Sequence, residues 1–242
     1  MTEYQPESAN HPPPYAELHC LSNFSFLRGA SHPEEMVTRA HALGYRALAI
    51  TDECSLAGIV RAHVCAKALG LKLIIGVEIQ LSDGPRLIAL ATHKQAYAEI
   101  SALVTCGRRR TEKGSYALYR DDVARLILSA LLIWLPARID GPEQKPPALK
   151  ARDDAEGKWL TTLTAPRCWV ALEQFYLGDD GDHLQRVTRL AETFKLPLVA
   201  CGDVHMHARE RHALADTLTA IRLGQPLSAL GQAVAKNNER YL

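Results

Sequence analysis

Four short stretches of this sequence put imidazoles and carboxylates at the ends of apolar runs. The first is Leu18-His19-Cys20-Leu21-Ser22, the second Thr51-Asp52-Glu53. The third is Gly76-Val77-Glu78, and the last Cys201-Gly202-Asp203-Val204-His205. Neutral imidazole nitrogens and carboxylate oxygens are the donors that a zinc- or manganese-type cation takes. One such residue at a strand end more often caps a helix or ties down a loop. Only convergence on one rim would make a site, so everything depends on the elements that carry these residues.

Those elements can be read from periodicity and punctuation. Tyr15–Leu21 has the character of a short strand. Ser31-His32-Pro33-Glu34 has the pattern of a capping box, with Ser31 as the cap. The helix it opens carries Met36, Val37, Ala40 and Leu43 on one face and stops at Gly44. A strand over Arg46–Thr51 follows, then a helix over Leu56–Leu69 with Ile59, Val60, Val64 and Ala68 expected inward. Leu71–Leu81 and Arg86–Ala91 read as strands. Lys94–Cys106 reads as a helix striped by Tyr97, Ile100, Leu103 and Val104. Leu126–Leu135 reads as a buried strand, and residues 137–158 as a loop with a broken helix. Cys168–Gln174 and Leu196–Cys201 complete the strands, with helices over His183–Phe194, faced by Leu184, Val187, Leu190 and Ala191, and over Ala208–Leu223. Strand and helix alternating at this spacing predict a parallel sheet. About seven such units favour a closed or distorted barrel. In such barrels functional residues project from the C-terminal strand ends, where the four stretches lie. Residues 1–14 hold four prolines and read as a flexible arm, residues 15–230 as the barrel domain. Gly231–Leu242 reads as closing no element and as the start of a linker.

Composition narrows the function classes. Of 242 residues, 47% are hydrophobic and 23% charged, which excludes a disordered chain. The 28 basic and 27 acidic residues nearly cancel, so tight DNA binding by this chain alone is not expected. The six cysteines are scattered without a C-x-x-C pair, which argues against a disulfide framework or a zinc ribbon. No apolar run reaches the roughly 18 residues of a membrane span, and no signal peptide is evident. A cytoplasmic protein without membrane partners is expected. Arg108, Arg109, Arg110 and Lys113 could touch nucleic-acid phosphates, or equally complement a helix C-terminus. His32, His41, His63, His93, His207 and His212 read as surface residues.

The phrases LHCLSNFSFLRGAS, ALAITDECSLAG, IIGVEIQL and PLVACGDVHMH, in this order, resemble the PHP (polymerase and histidinol phosphatase) domain. Gly29-Ala30-Ser31, Leu81-Ser82-Asp83-Gly84, Arg108-Arg109-Arg110 and Lys113-Gly114-Ser115-Tyr116 narrow the resemblance to the N-terminus of bacterial error-prone, C-family DNA polymerases, over about Tyr15–Leu242. The resemblance implies an α/β fold, a distorted seven-stranded β/α barrel of PHP type. It also implies a much longer parent that copies damaged templates in damage-induced mutagenesis. The partners would be that parent's polymerase core, DNA held through it, and accessory mutagenesis proteins. Magnesium would belong to carboxylates in the core, outside this chain.

The metal ligands implied here are His19, Asp52, Glu78, Asp203 and His205, with Glu53 as a possible oxygen donor. Against the family pattern, Leu21 replaces the second His of His-x-His and Glu53 replaces the His of Thr-Asp-His. Arg86 stands where a further His is expected, and Pro136 near another ligand position. An arginine at a ligand position opposes a cation electrostatically. The expected role is therefore a degenerate, mainly structural domain with no catalytic residue of its own, holding at most a weakly bound zinc or manganese. The alternative is a free-standing PHP-type metal-dependent phosphoesterase.

Overall fold

A computed structural model of the chain describes residues 14–138, 146–163 and 168–242. The arm expected over 1–14 therefore lies, but for Pro14, outside the described residues. Seven strands form one sheet in sequence order: β1 (Ala16–Glu17), β2 (Ala47–Ile50), β3 (Lys72–Gln80), β4 (Arg86–Ala91), β5 (Leu131–Leu135), β6 (Cys168–Leu172) and β7 (Leu198–Ala200). Seven α-helices are described: α1 (Pro33–Ala42), α2 (Ile59–Leu69), α3 (Lys94–Arg109), α4 (Arg120–Leu126), α5 (Pro146–Thr162), α6 (Asp180–Phe194) and α7 (His212–Leu223). Among the described residues no helix is long and apolar enough to cross a membrane.

The sheet is mixed rather than parallel. β4 runs antiparallel to both β3 and β5, and every other pair is parallel. Only Leu81–Pro85 joins β3 to β4, too short for a crossover, so the chain must turn back as a hairpin. This reversal decides where one side chain goes. The first residue of β4, Arg86, pairs in register with Gln80 and Leu135, the last residues of β3 and β5. Arg86 thus sits at the same rim as the C-terminal ends of the other strands.

Alternation along the strands splits the core into layers. Ile88, Leu90, Ile133 and Leu135 point into the barrel with Ala49, Ala171 and Cys201. Leu87, Ala89, Leu132 and Trp134 point outward against Ile100, Leu103, Leu160 and Val187 of the surrounding helices. A second outer layer packs Met36, Val37 and Ala40 of α1 against Ala62 and Ala66 of α2 and Ile50 of β2.

β7 and β1 share no ladder. Their seam is closed by Leu21 donating to the Val204 carbonyl and Val204 donating to the His19 carbonyl, both at 2.8 Å. The buried Glu17 carboxylate adds a clasp, accepting the Gly202 and His19 amides at 2.9 Å each. A Cβ on Gly202 would lie 2.5 Å from Glu17 Oε2, so the clasp needs glycine there.

Several local expectations are corrected. The cap of α1 is His32, whose amide donates to Glu35 Oε2 at 2.8 Å. Ser31 is buried and its hydroxyl accepts the His207 amide at 2.9 Å, so His207 is half-buried rather than a surface residue. On α2 the inward residues are Ile59, Ala62 and Ala66; Val60, Val64 and Ala68 face outward, because alanines permit the close α1 contact. Arg120–Leu126 is helical, which leaves Leu131–Leu135 as the strand. Residues 146–162 form one 17-residue helix rather than a broken one. Residues 231–242 are not loose: a 3-10 run over Gly231–Glu239 leads back to the barrel, where His205 donates to the Arg240 carbonyl at 2.9 Å.

Candidate functional site

The barrel mouth gathers charge around one buried imidazole. His19 follows β1 and is fully buried. Its Nε2 lies 2.7 Å from Glu78 Oε2 and 3.6 Å from Asp203 Oδ1, and its Nδ1 lies 2.7 Å from Glu173 Oε1. Glu78 sits in β3 and Glu173 directly after β6. Asp203 follows β7 with a left-handed backbone, φ 45°, and aims its carboxylate at His205 Nε2, 2.9 Å away. A non-glycine residue in that region costs of order 1 kcal/mol or more, and such residues collect at functional sites.

Guanidinium groups cover the outer side of these carboxylates. Arg28 Nη1 donates to Glu78 Oε1 at 2.6 Å and to Glu53 Oε2 at 2.8 Å. Leu27, at φ 59°, turns the loop that aims Arg28 inward. Arg240 Nη2 lies 2.7 Å from Asp203 Oδ2, and Arg86 Nη2 lies 3.8 Å from Glu173 Oε2. Arg138 donates to the Glu173 carbonyl at 2.8 Å. The guanidinia of Arg138 and Arg240 both lie over the Phe175 ring, each 5.2 Å from its centroid.

These contacts set the protonation states. Burial opposes the charge on Glu78, but the Arg28 and Arg86 guanidinia override it and hold the carboxyl well below its usual range. Burial likewise opposes the charge on Asp203, and Arg240 with His19 overcomes it. Burial would neutralise His19, yet Asp203, Glu173 and Glu78 raise it to about 10, so it stands as an imidazolium. His205 goes the other way: burial and Arg240 push it down to about 3, and it is neutral.

The ligand-type atoms of His19, Glu78 and Asp203 lie within 4.8 Å of one another, so the donor set for one cation is present. Among the described residues a donor set for several cations is not. Leu21 is fully buried and apolar, and Pro136 is buried. Glu53 is tied to Arg28 and accepts the Tyr116 hydroxyl at 3.0 Å. Asp52 turns away from His19. It accepts the Ser22 amide and the Ser22 and Ser25 hydroxyls, each at 2.7 Å, and so braces the β1–α1 loop. A cation bound to Glu78 and Asp203 would have to displace Arg28 and Arg240 and take the proton from His19.

The structure therefore brings together five of the six residues expected as ligands, His19, Glu53, Glu78, Asp203 and His205, and leaves Asp52 outside. It adds Arg28, Glu173 and Arg240, which sequence reasoning missed. Glu173 could have been found, since it ends a strand as the others do. Arg28 stands inside the FLRGA phrase, but nothing in its spacing points to the mouth. Arg240 comes from a segment read as linker.

The basic cluster on α3 and after it is used partly within the fold. Arg108 donates to the carbonyls of Glu53 and Cys54 at 3.1 Å each and lies over Tyr116. Arg110 takes Asp122 with both terminal nitrogens and lies over Tyr119. Arg109 and Lys113 are exposed. His93 caps α3, its Nδ1 accepting the Ala96 amide at 3.0 Å.

The PHP domain profile matches residues 17–156 of this chain. An error-prone DNA polymerase from Methylococcus capsulatus is 55% identical over 229 residues, 94% of this chain and 21% of the relative. One from Pseudomonas fluorescens is 50% identical over 228 residues, again 94% of this chain and 21% of the relative. The chain thus spans about a fifth of the length of the curated relatives it matches. A Bifidobacterium adolescentis structure described as a metal-dependent phosphoesterase superposes with a TM-score of 0.55 at 15% identity, covering 80% of this chain and 88% of that one. An amidohydrolase from Chromobacterium violaceum gives 0.56 at 15% identity, covering 79% and 88%. These two establish the fold alone. With the profile spanning more than half of it, this chain belongs to the PHP domain family.

Proposed function

We propose that this chain serves as the PHP domain of an error-prone DNA polymerase, a scaffold whose metal centre has been replaced by ion pairs. The identity to error-prone polymerases over 94% of the chain carries the first half of the reading. The second half rests on Arg28 and Arg240, which take the carboxylates of Glu78 and Asp203 that a cation would need. Nucleotide transfer from deoxynucleoside triphosphates would be the work of a core outside this chain, with its own magnesium-binding carboxylates. Template copying past damage, in the cytoplasm and with accessory mutagenesis proteins, is the parent activity this implies. Within the domain, contact with DNA phosphates would fall to Arg109 and Lys113, because Arg108 and Arg110 are held by the fold.

Primer extension tests the first half. The 242-residue chain should extend no primer above a no-enzyme control, while the same chain continued by the remaining length of its relatives should. Incorporation by the short chain, in a preparation free of other polymerases, would overturn the scaffold reading. Hydrolysis of a phosphate monoester that strong chelator abolishes would replace it with the phosphoesterase reading.

A further inference from the structure

A surface helix normally turns its large apolar side chains toward the core. Helix α7 does the reverse. Its buried residues are the small Ala215, Thr219 and Ala220. Leu214 and Ile221 stand 40% and 59% exposed, with Leu218 half-buried between them. Spaced at i, i+4 and i+7, these three form one outward stripe.

The β1–α1 loop adds an aromatic ring to that stripe. Phe26 is 84% exposed, and with Leu27, Leu214 and Leu218 it lines one depression of about 270 Å³. The turn that carries Phe26 is braced from within. The amides of Arg28 and Gly29 both donate to the Ser25 carbonyl, at 2.9 and 3.1 Å, and the Ser25 hydroxyl donates to the buried Asp52 at 2.7 Å. A Cβ on Gly29 would lie 2.0 Å from the Ser22 carbonyl oxygen, so the turn is closed as tightly as glycine permits. A ring displayed on so fixed a turn loses little freedom when a partner covers it. Exposed aromatic side chains of this kind are the usual anchors of interfaces, and polar residues such as Asn23 and Arg211 edge this one.

The described chain ends beside the same face. Tyr241 and Leu218 pack on one cluster of Ala30, Met206 and Ala215, and Tyr241 is bridged to Met206. Chain continuing past Leu242 therefore starts next to α7. This chain amounts to 21% of the Methylococcus capsulatus relative, so a continuation of that length has ample surface to cover the stripe.

We propose that Phe26 and the outward stripe of α7 form the docking surface for the segment that follows Leu242, which covers them with an apolar surface of its own. The proposal rests on reading this chain as the first part of a longer polymerase. It assigns the contact to one face of the barrel, and Phe26 is its anchor.

Amide exchange in the 242-residue chain, compared with the same chain continued to the length of its relatives, tests it. Residues 24–28 and 212–223 should exchange at least about tenfold more slowly in the long chain. Phe26→Ser combined with Ile221→Glu should return both stretches of the long chain to within about threefold of the short-chain rates. The same pair of changes should move the unfolding temperature of the short chain by no more than about 2 °C, because both side chains are exposed. Val64→Glu, on the outer face of α2, should leave the protection intact. Equal exchange of α7 in the two chains, with primer extension by the long one, would overturn the docking surface and leave the polymerase reading standing. A long chain that extends no primer would remove that reading and the proposed occupant with it. Protection indifferent to the double variant, or protection that grows with concentration in the short chain alone and so marks a second copy, would also overturn the proposal.

Discussion

Two of the arginine–carboxylate clusters on this molecule differ in burial more than in chemistry. At the mouth, Arg28 and Arg240 pair with Glu78 and Asp203, whose side chains are 1% and 0% exposed. On the outer surface, Arg110 and Arg125 pair with Asp122, which is 5% exposed, but these arginines are 37% and 64% exposed against 15% each for Arg28 and Arg240. Water and salt screen the second cluster more than the first. The outer pairs are therefore weak reinforcements of a helix cap, since Asp122 also accepts the Tyr119 amide at the start of α4. The inner pairs are obligatory, because carboxylates cannot stay charged in the barrel without cations beside them. Guanidinia fixed to the chain meet that requirement without any dependence on the metal supply.

The largest expected effect is Arg28→Ala, which leaves Glu78 buried beside an unpaired Glu53. Loss of about 3–5 kcal/mol and a fall of about 10 °C or more in thermal unfolding should follow. A fall under about 3 °C would mean that water reaches the mouth and that the two clusters are alike. Next comes the alkaline limb. His19 binds its proton with a pKa of about 10 in the fold against a reference value of 6.5. Its contribution is complete below about pH 6.5 and is lost as the pH rises toward 10. His19→Gln should flatten the stability profile across that window. A slope equal to the wild-type slope would show that the imidazole is neutral and open to a cation. Strong chelator comes third, with an expected change in unfolding temperature below about 3 °C. A drop of more than about 10 °C would reveal a bound metal contributing several kcal/mol. Arg125→Ala is the smallest, below about 1 kcal/mol and fading further in about 1 M salt. A salt-insensitive loss of several kcal/mol would erase the contrast.

The strands were legible because each is a compact apolar run with clear punctuation, and the rim residues because they end such runs. What was hidden has specific causes. The antiparallel β4 follows from a five-residue connection too short for a crossover, against the strand-and-helix alternation of the rest of the chain, which points to a parallel sheet. Val60 and Val64 are as apolar as the residues that pack, and only the closeness of α1 selects Ala62 and Ala66 instead. Asp52 sits in a metal-ligand phrase, yet two serines of the preceding loop claim its oxygens. Arg240 reaches Asp203 across 36 residues of intervening chain, which no local spacing encodes.

The clasp of Glu17 on Gly202 bears on how the barrel assembles. Every strand ladder joins neighbours in the chain, whereas this clasp joins positions 185 residues apart. Closing so long a loop carries the greatest entropic penalty in the sheet, and β1 offers only two residues of ladder to offset it. We expect the seam to be the last part of the sheet to form and the first to open. Amide exchange at Gly202 and Val204 should then outpace exchange in the β3–β4 hairpin, even though both ends of the clasp are held by hydrogen bonds. A ring with one designated gap folds as an open ribbon and acquires its lumen in the final step.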